Sequence, residues 1–178
     1  LSFNNPLWEI CNSFEDVRMG ATIDSYMNGY NDPRIGKYFQ VASDGKYHGV
    51  RNGIDIVTKQ KYTNAPLSRL IFGQGGGMYW FNAAEVYFLR AEGALRGWNM
   101  NGTAKELYED GIRCSFEQWG AGDASSYITN ATNVPANYED KSGDDNSTNA
   151  IGNITVAWDE NAGTAEKLER IITQKYIA

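Results

Sequence analysis

NAAEVYFLRAEGALRGWNMNGTAKELYEDGIRCSFEQWG, residues 82–120, carries two helical patterns and the signals that separate them. In the first pattern Ala84, Tyr87, Phe88, Ala91 and Leu95 recur at helical spacing and form one apolar face, with the charges mostly elsewhere. A short linker, Trp98-Asn99-Met100-Asn101-Gly102, interrupts it. Thr103 and Glu106 then form a T-x-x-E capping box, in which each residue can satisfy an orphan backbone N–H of a new helix. That helix turns Leu107, Tyr108, Gly111, Ile112 and Trp119 to a packing face. Small residues at Ala84, Ala91, Ala94 and Gly111 let the two helix axes approach closely.

A helix pair of this size and plan resembles a tetratricopeptide unit. One unit alone does not make a solenoid, because such pairs bury their faces against neighbours. Upstream, SFEDVRMGATIDSYMNG predicts another amphipathic helix from Ser13, with Ser13 and Asp16 as an acidic variant of the capping box. Met19, Ile23, Tyr26, Met27 and Tyr30 recur along it; Asn28-Gly29 supplies the stop and Asp32-Pro33 a turn. Residues 40–80, broken by glycine, predict surface loops with one short hairpin. Residues 120–163 are rich in Asn, Asp, Ser, Thr and Gly and predict a long polar surface loop, with ITVAW (154–158) as a short strand. The last helix is expected from about Thr164, with Leu168, Ile171, Ile172, Lys175 and Tyr176 along one side. The expected fold is therefore mostly α, with tetratricopeptide-like helix pairs of the alpha-alpha superhelix type, long irregular loops and few short strands. Residues 1–178 read as part of one domain, with a helix-pair core at about 82–119 and the polar loop at about 120–163.

Composition removes several functions. The net charge of −6, without a run of Lys and Arg, would repel a nucleic acid backbone. No apolar stretch approaches the ~18 residues that a membrane-spanning helix needs. The chain begins with Leu1 rather than Met, and its last helical pattern runs to Ala178 without a stop, so both ends read as cuts. Cys11 and Cys114 lie in distant segments, and two buried thiols are favoured over a disulfide.

Longer strings carry a family resemblance. SYMNGYNDPRIGKYF, NAAEVYFLRAEGALRGWNMNGTAKELYEDGI, CSFEQWG and LERIITQKYIA, in this order, resemble the SusD/RagB family of bacterial outer-membrane nutrient-binding lipoproteins, in its SusD-like branch from Bacteroidetes. The resemblance extends from about Asn5 to Ala178. It implies a C-terminal-half portion of a longer, largely helical, cell-surface protein. It further implies a lipid anchor upstream of this chain as the means of membrane contact, since neither Cys11 nor Cys114 sits in a lipobox. The implied function is binding of a glycan, an oligosaccharide above all, for delivery to a SusC-like TonB-dependent transporter. Peptide binding, or a scaffold that contacts only the transporter, are the alternatives.

The residues themselves offer no convincing catalyst or cofactor site. His48, the single histidine, has no second His or suitable Cys to complete a zinc set, and no GxSxG elbow accompanies it. Glu139, Asp140, Asp144 and Asp145 lack the EF-hand spacing for calcium and read as a solvated loop. Glu85 and Glu92 lie two turns apart, about 10 Å along a helix, and suit helix ion pairs better than glycoside hydrolysis. The sequons at Asn101, Asn130, Asn146 and Asn153 follow from an Asn- and Thr-rich composition, and GQGGG lacks the residues of a phosphate loop. An aromatic share of 13%, with 11 Tyr, is high, and flat rings serve both cores and sugar-binding surfaces. Tyr87, Phe88, Tyr108, Trp119 and Trp98 are assigned to helix packing. Tyr38, Tyr47, Tyr62 and Tyr79 flank loops and are the candidate ligand-binding residues, of which one or two would stack on a sugar ring. No catalytic residue, metal ligand or cofactor is expected.

Overall fold

The computed structural model describes residues 3–178. Its regular structure is helical: α1 (Pro6–Trp8), which runs into a π-helical turn (Glu9–Ser13), α2 (Ala21–Gly29), α3 (Ile35–Tyr38), α4 (Lys59–Asn64), α5 (Ala83–Leu95), α6 (Ala104–Trp119), α7 (Ser125–Ile128) and α8 (Thr164–Ile177). Extended pairing among the described residues is limited to isolated bridges, Gly20 with Val50, Phe39 with Leu70 and Tyr138 with Thr148. The mostly α expectation holds. The chain divides into two compact units, Leu1–Met78 with Ala136–Ile151, and Tyr79–Pro135 with Gly152–Ala178.

The second unit contains the helix pair, and the expected faces meet. Ala84, Phe88 and Ala91 of α5 and Leu107, Tyr108, Ile112 and Phe116 of α6 are buried. Gly111 sets their approach: a Cβ built there would lie 2.8 Å from the Phe88 ring, and Phe88 is fully enclosed. Tyr108 meets Phe88 edge-on at 6.2 Å between centroids and sends its hydroxyl to the Val156 carbonyl at 2.6 Å. The capping box is complete: the Glu106 N–H donates to Thr103 Oγ1 at 3.2 Å, and the Thr103 N–H donates to Glu106 Oε2 at 2.9 Å. Helix α8 packs against α5. Its buried side is Arg170, Ile171, Thr173, Gln174 and Ile177, whereas Ile172 is half exposed, because adjacent helical residues point about 100° apart. Trp98, assigned to the helix packing, is 62% exposed on the linker.

In the first unit the chain departs from the expected course. No helix begins at Ser13; α2 starts at Ala21. The reason lies in the backbone partners of the preceding residues. The Met19 N–H donates to Ser68 O, Met19 O accepts from the Val50 N–H, and the Ala21 N–H donates to Val50 O. These groups are used across the fold and cannot close helical turns. Helix α2 does end at Gly29, as expected, but the left-handed residue is Asn31, with φ 51°, rather than Gly29. Beyond it Asp32 and Arg34 form a buried bidentate pair, Arg34 Nε to Asp32 Oδ1 at 2.9 Å and Nη2 to Oδ2 at 2.6 Å, and the same carboxylate accepts the Arg34 N–H. Breaking such a pair leaves an uncompensated buried charge, at a cost of about 3–5 kcal/mol. The expected hairpin in 40–80 is absent among the described residues. Single bridges and α4 stand in its place.

The polar stretch 120–163 is irregular for most of its length, as its composition predicts, but it is not a free excursion. Ala124, Tyr127, Ile128, Tyr138, Ile154 and Val156 are buried along it. ITVAW forms no strand and bends at Val156 and Ala157, with Ile154 and Val156 buried. The acidic cluster organises backbone. Asp140 accepts from the Ser142 and Asn146 N–H groups at 2.8 and 3.0 Å, and Asp144 accepts from the Tyr62 hydroxyl at 2.8 Å and from Lys61. Carboxylates that bond nearby N–H groups give a polar loop a fixed shape without an apolar core. Both cysteines are free thiols.

Two substitutions test the helix pair. Thr103→Ala removes one half of the capping box and should lower stability by about 1 kcal/mol in urea denaturation, with Thr103→Ser retaining most of it. Gly111→Ala gains up to about 1 kcal/mol of helix propensity but drives a methyl into the enclosed Phe88 ring, an overpacking worth about 1–3 kcal/mol. The net effect should be a loss of stability. A gain would show that Phe88 yields freely and that Gly111 does not set the spacing.

Candidate ligand-binding site

A polar hollow of about 430 Å³ in the first unit is lined by residues from α2 and from two loops: Asp24, Asn28, Tyr47, His48, Asn137 and Lys141, with Lys46, Glu139, Gly45 and Ala136. Its floor depends on the turn KYHGV. Gly49 lies against Gly20, where a Cβ would come within 2.6 Å of the Gly20 carbonyl oxygen, so only glycine fits this backbone approach. The Gly49 N–H donates to Asp24 Oδ2 at 2.6 Å, and Asn28 Nδ2 donates to Asp24 Oδ1 at 2.6 Å and to Tyr47 O at 3.1 Å. One carboxylate and one amide on α2 thereby hold the Tyr47–Gly49 strip against the helix. The Tyr47 hydroxyl lies over Gly36, close to where a side chain there would begin.

Several of the charges around the hollow have partners. Burial raises the Asp24 pKa, against the lowering effects of the Gly49 N–H and Asn28. Asp44, which pairs with His48 Nε2 at 2.7 Å, is lowered by that hydrogen bond. Glu139 is lowered by its hydrogen bond to Lys141, 2.7 Å away. Tyr138, whose hydroxyl donates to Gly49 O at 3.2 Å, is pushed up to about 12 by burial first and by Asp140 next. The hollow thus offers amides, two ammonium groups, carboxylate oxygens and the Tyr47 ring. Such a set donates to and accepts from hydroxyl-rich ligands. It presents no activated nucleophile.

The four tyrosines singled out from the sequence do not converge. Tyr47 lines the hollow. Tyr38 ends α3, half-buried, with its ring edge-on to Phe39 at 6.2 Å. Tyr62 is buried on α4 and lines a different, more apolar hollow. Tyr79 belongs to the second unit, 66% exposed and edge-on to Trp119 at 5.6 Å. Sequence reasoning missed Asn28, Asn137 and Lys141, and it read Asn28 only as a helix stop and Glu139 only as a solvated loop charge. A helix end rich in Asn a short way before KYHGV was a signal for Asn28 alone; nothing local pointed to Asn137 or Lys141.

Comparison with known proteins agrees with this architecture. A family model described as SusD-like, Susd and RagB outer membrane lipoprotein, matches residues 1–178. A chitin-binding SusD homolog from Flavobacterium johnsoniae is 46% identical with a TM-score of 0.92, over 98% of this chain and 36% of that one. A SusD homolog from Bacteroides thetaiotaomicron is 42% identical with a TM-score of 0.91, over 98% and 37%. Another, from Bacteroides uniformis, is 43% identical with a TM-score of 0.89, again over 98% and 37%. The chain therefore spans a little over a third of the length of these solved relatives. No match is found among curated proteins. With its helix pair, its connecting loops and its full length all matched, the chain belongs to the SusD-like family of bacterial outer membrane lipoproteins.

Proposed function

We propose that this chain supplies part of an oligosaccharide-binding surface whose ligand is handed to a TonB-dependent outer-membrane transporter, and that it performs no chemistry on that ligand. The observation that carries the reading is the Tyr47 hollow, in which one ring lies among Asn28, Asn137, Lys46, Lys141 and Glu139. Sugars are bound by a flat apolar face together with a ring of hydrogen-bonding side chains, and this hollow has both. Kinship supports the ligand class, since a relative 46% identical is chitin-binding. A binding role also suits the charges, since each carboxylate at the rim is held by a partner.

Chitin fragments are the first probes. Calorimetric titration of the protein containing this chain with N-acetylglucosamine oligomers should show binding, and Tyr47→Ala should weaken it about tenfold, or ~1.4 kcal/mol. Unchanged affinity would place the ligand elsewhere, and binding of short peptides but not sugars would change the ligand class. Gly49→Ala should abolish binding and lower stability by at least ~1–3 kcal/mol, because the added methyl meets backbone that has no rotamer to give. Recovery of binding in that variant would show that the Gly20 contact does not shape the hollow.

A further inference from the structure

A second hollow in the first unit, about 270 Å³, has a different chemistry. Helix α4 forms one wall with Lys59, Tyr62 and Thr63, which share a face at i, i+3 and i+4. Val50, Ile56 and Leu67 add an apolar lining, and the extended run before α2 contributes Glu15, Asp16 and Arg18. Ion pairs account for most of the charge. Arg69 pairs with Glu15, and Lys59 with Asp16 and the Phe14 carbonyl. Arg18 is left over. Its Nη1 donates to the carbonyls of Val17 at 2.9 Å and Glu15 at 3.3 Å, while Nη2 is buried with no hydrogen-bond partner among the described residues. Burial, and after it the neighbouring Arg69, lowers the Arg18 pKa. With Arg69 at its edge counted, three cations face the two carboxylates of this hollow beside its apolar walls, in a chain whose net charge is −6.

A buried donor without an acceptor is costly and calls for an explanation. A passing hydroxyl-rich sugar would leave Val50, Ile56 and Leu67 without apolar contact. An apolar molecule alone would leave the guanidinium unsatisfied. We propose that this hollow is a binding site for a small carboxylate with an apolar body. The carboxylate accepts from Arg18, which turns Nη2 toward it by rotation of its own side chain. The body lies against Val50, Ile56, Leu67 and the Tyr62 ring, and Arg18 provides the planar donor set that suits a carboxylate. This site is separate from the Tyr47 hollow and stands whether or not that hollow binds sugar.

The probes are hexanoate, its neutral analogue hexanamide, and glucuronate, which has a carboxylate but no apolar body. In NMR titrations up to about 10 mM, hexanoate should shift the methyl signals of Val50, Ile56 and Leu67, and hexanamide should bind about tenfold more weakly. Glucuronate should bind more weakly than hexanoate. Arg18→Met should erase the preference for hexanoate over hexanamide, whereas Ile56→Ser, at a half-exposed position, should weaken both alike. Tyr47→Ala should leave hexanoate binding unchanged. No methyl shifts with hexanoate, equal binding of the amide by the wild-type protein, or tighter binding of glucuronate would each overturn the proposal.

Discussion

Three extended backbone segments cross at Met19, Val50 and Ser68, and both hollows of the first unit hang from that crossing. Met19 is hydrogen-bonded on both its N–H and its C=O, to Ser68 and Val50, and Ser68 is bonded in turn to His48 through both backbone and hydroxyl. The crossing is tight because Gly20 and Gly49 meet backbone to backbone. From it Arg18 and Val50 reach the apolar hollow, while His48 and the Tyr47 strip reach the polar one. Neither hollow has a regular sheet beneath it. A few long-range backbone bonds do the work of a ladder, which is how a glycine-broken stretch is held in one conformation.

The second unit is ordered by a different constraint, the depth to which Phe88 enters α6. With Gly111 beneath its ring, Phe88 is fully enclosed, and Tyr108 can turn edge-on to it and still reach Val156. Tyr127, packed on Phe116 with 5.1 Å between centroids, shares hydrogen bonds with Gln174 of α8. Side chains from the polar stretch therefore complete a core that the helix pair begins. Buried tyrosines suit this role because each ring packs while its hydroxyl satisfies a backbone or amide group.

The two units use polarity in opposite ways. In the second, polar atoms finish apolar packing. In the first, carboxylates define the backbone itself: Asp24 holds Gly49, Asp32 holds Arg34, and Asp140 holds the turn from Ser142 to Asn146. Each is an oxygen acceptor placed on a backbone N–H in a turn or loop, where a short acidic side chain can stabilise irregular structure. The groups around the polar hollow are thereby fixed by the protein's own hydrogen bonds, which would lower the ordering cost of the binding proposed for it.

Helices whose signals are local are legible without coordinates. The Thr103-x-x-Glu106 box, the apolar spacing of α5 and α6 and the small residue at Gly111 are read within a few turns, and the structure keeps them all; the family strings likewise need no coordinates. The helix expected from Ser13 and the hairpin failed because their backbone groups are satisfied by residues far along the chain, at Val50, Ser68 and Arg69. The polar stretch is irregular as expected, but burial of Tyr127 and Tyr138 along it was not legible. Tyr47 is visible in the sequence as a ring flanking a loop, but its neighbours Asn28 and Asn137 come from segments separated by more than a hundred residues. Hydrophobic period and capping act between residues i and i+4 and leave a trace in the sequence. A hollow is made of contacts across the chain, and only the tertiary fold decides which of many polar side chains share it.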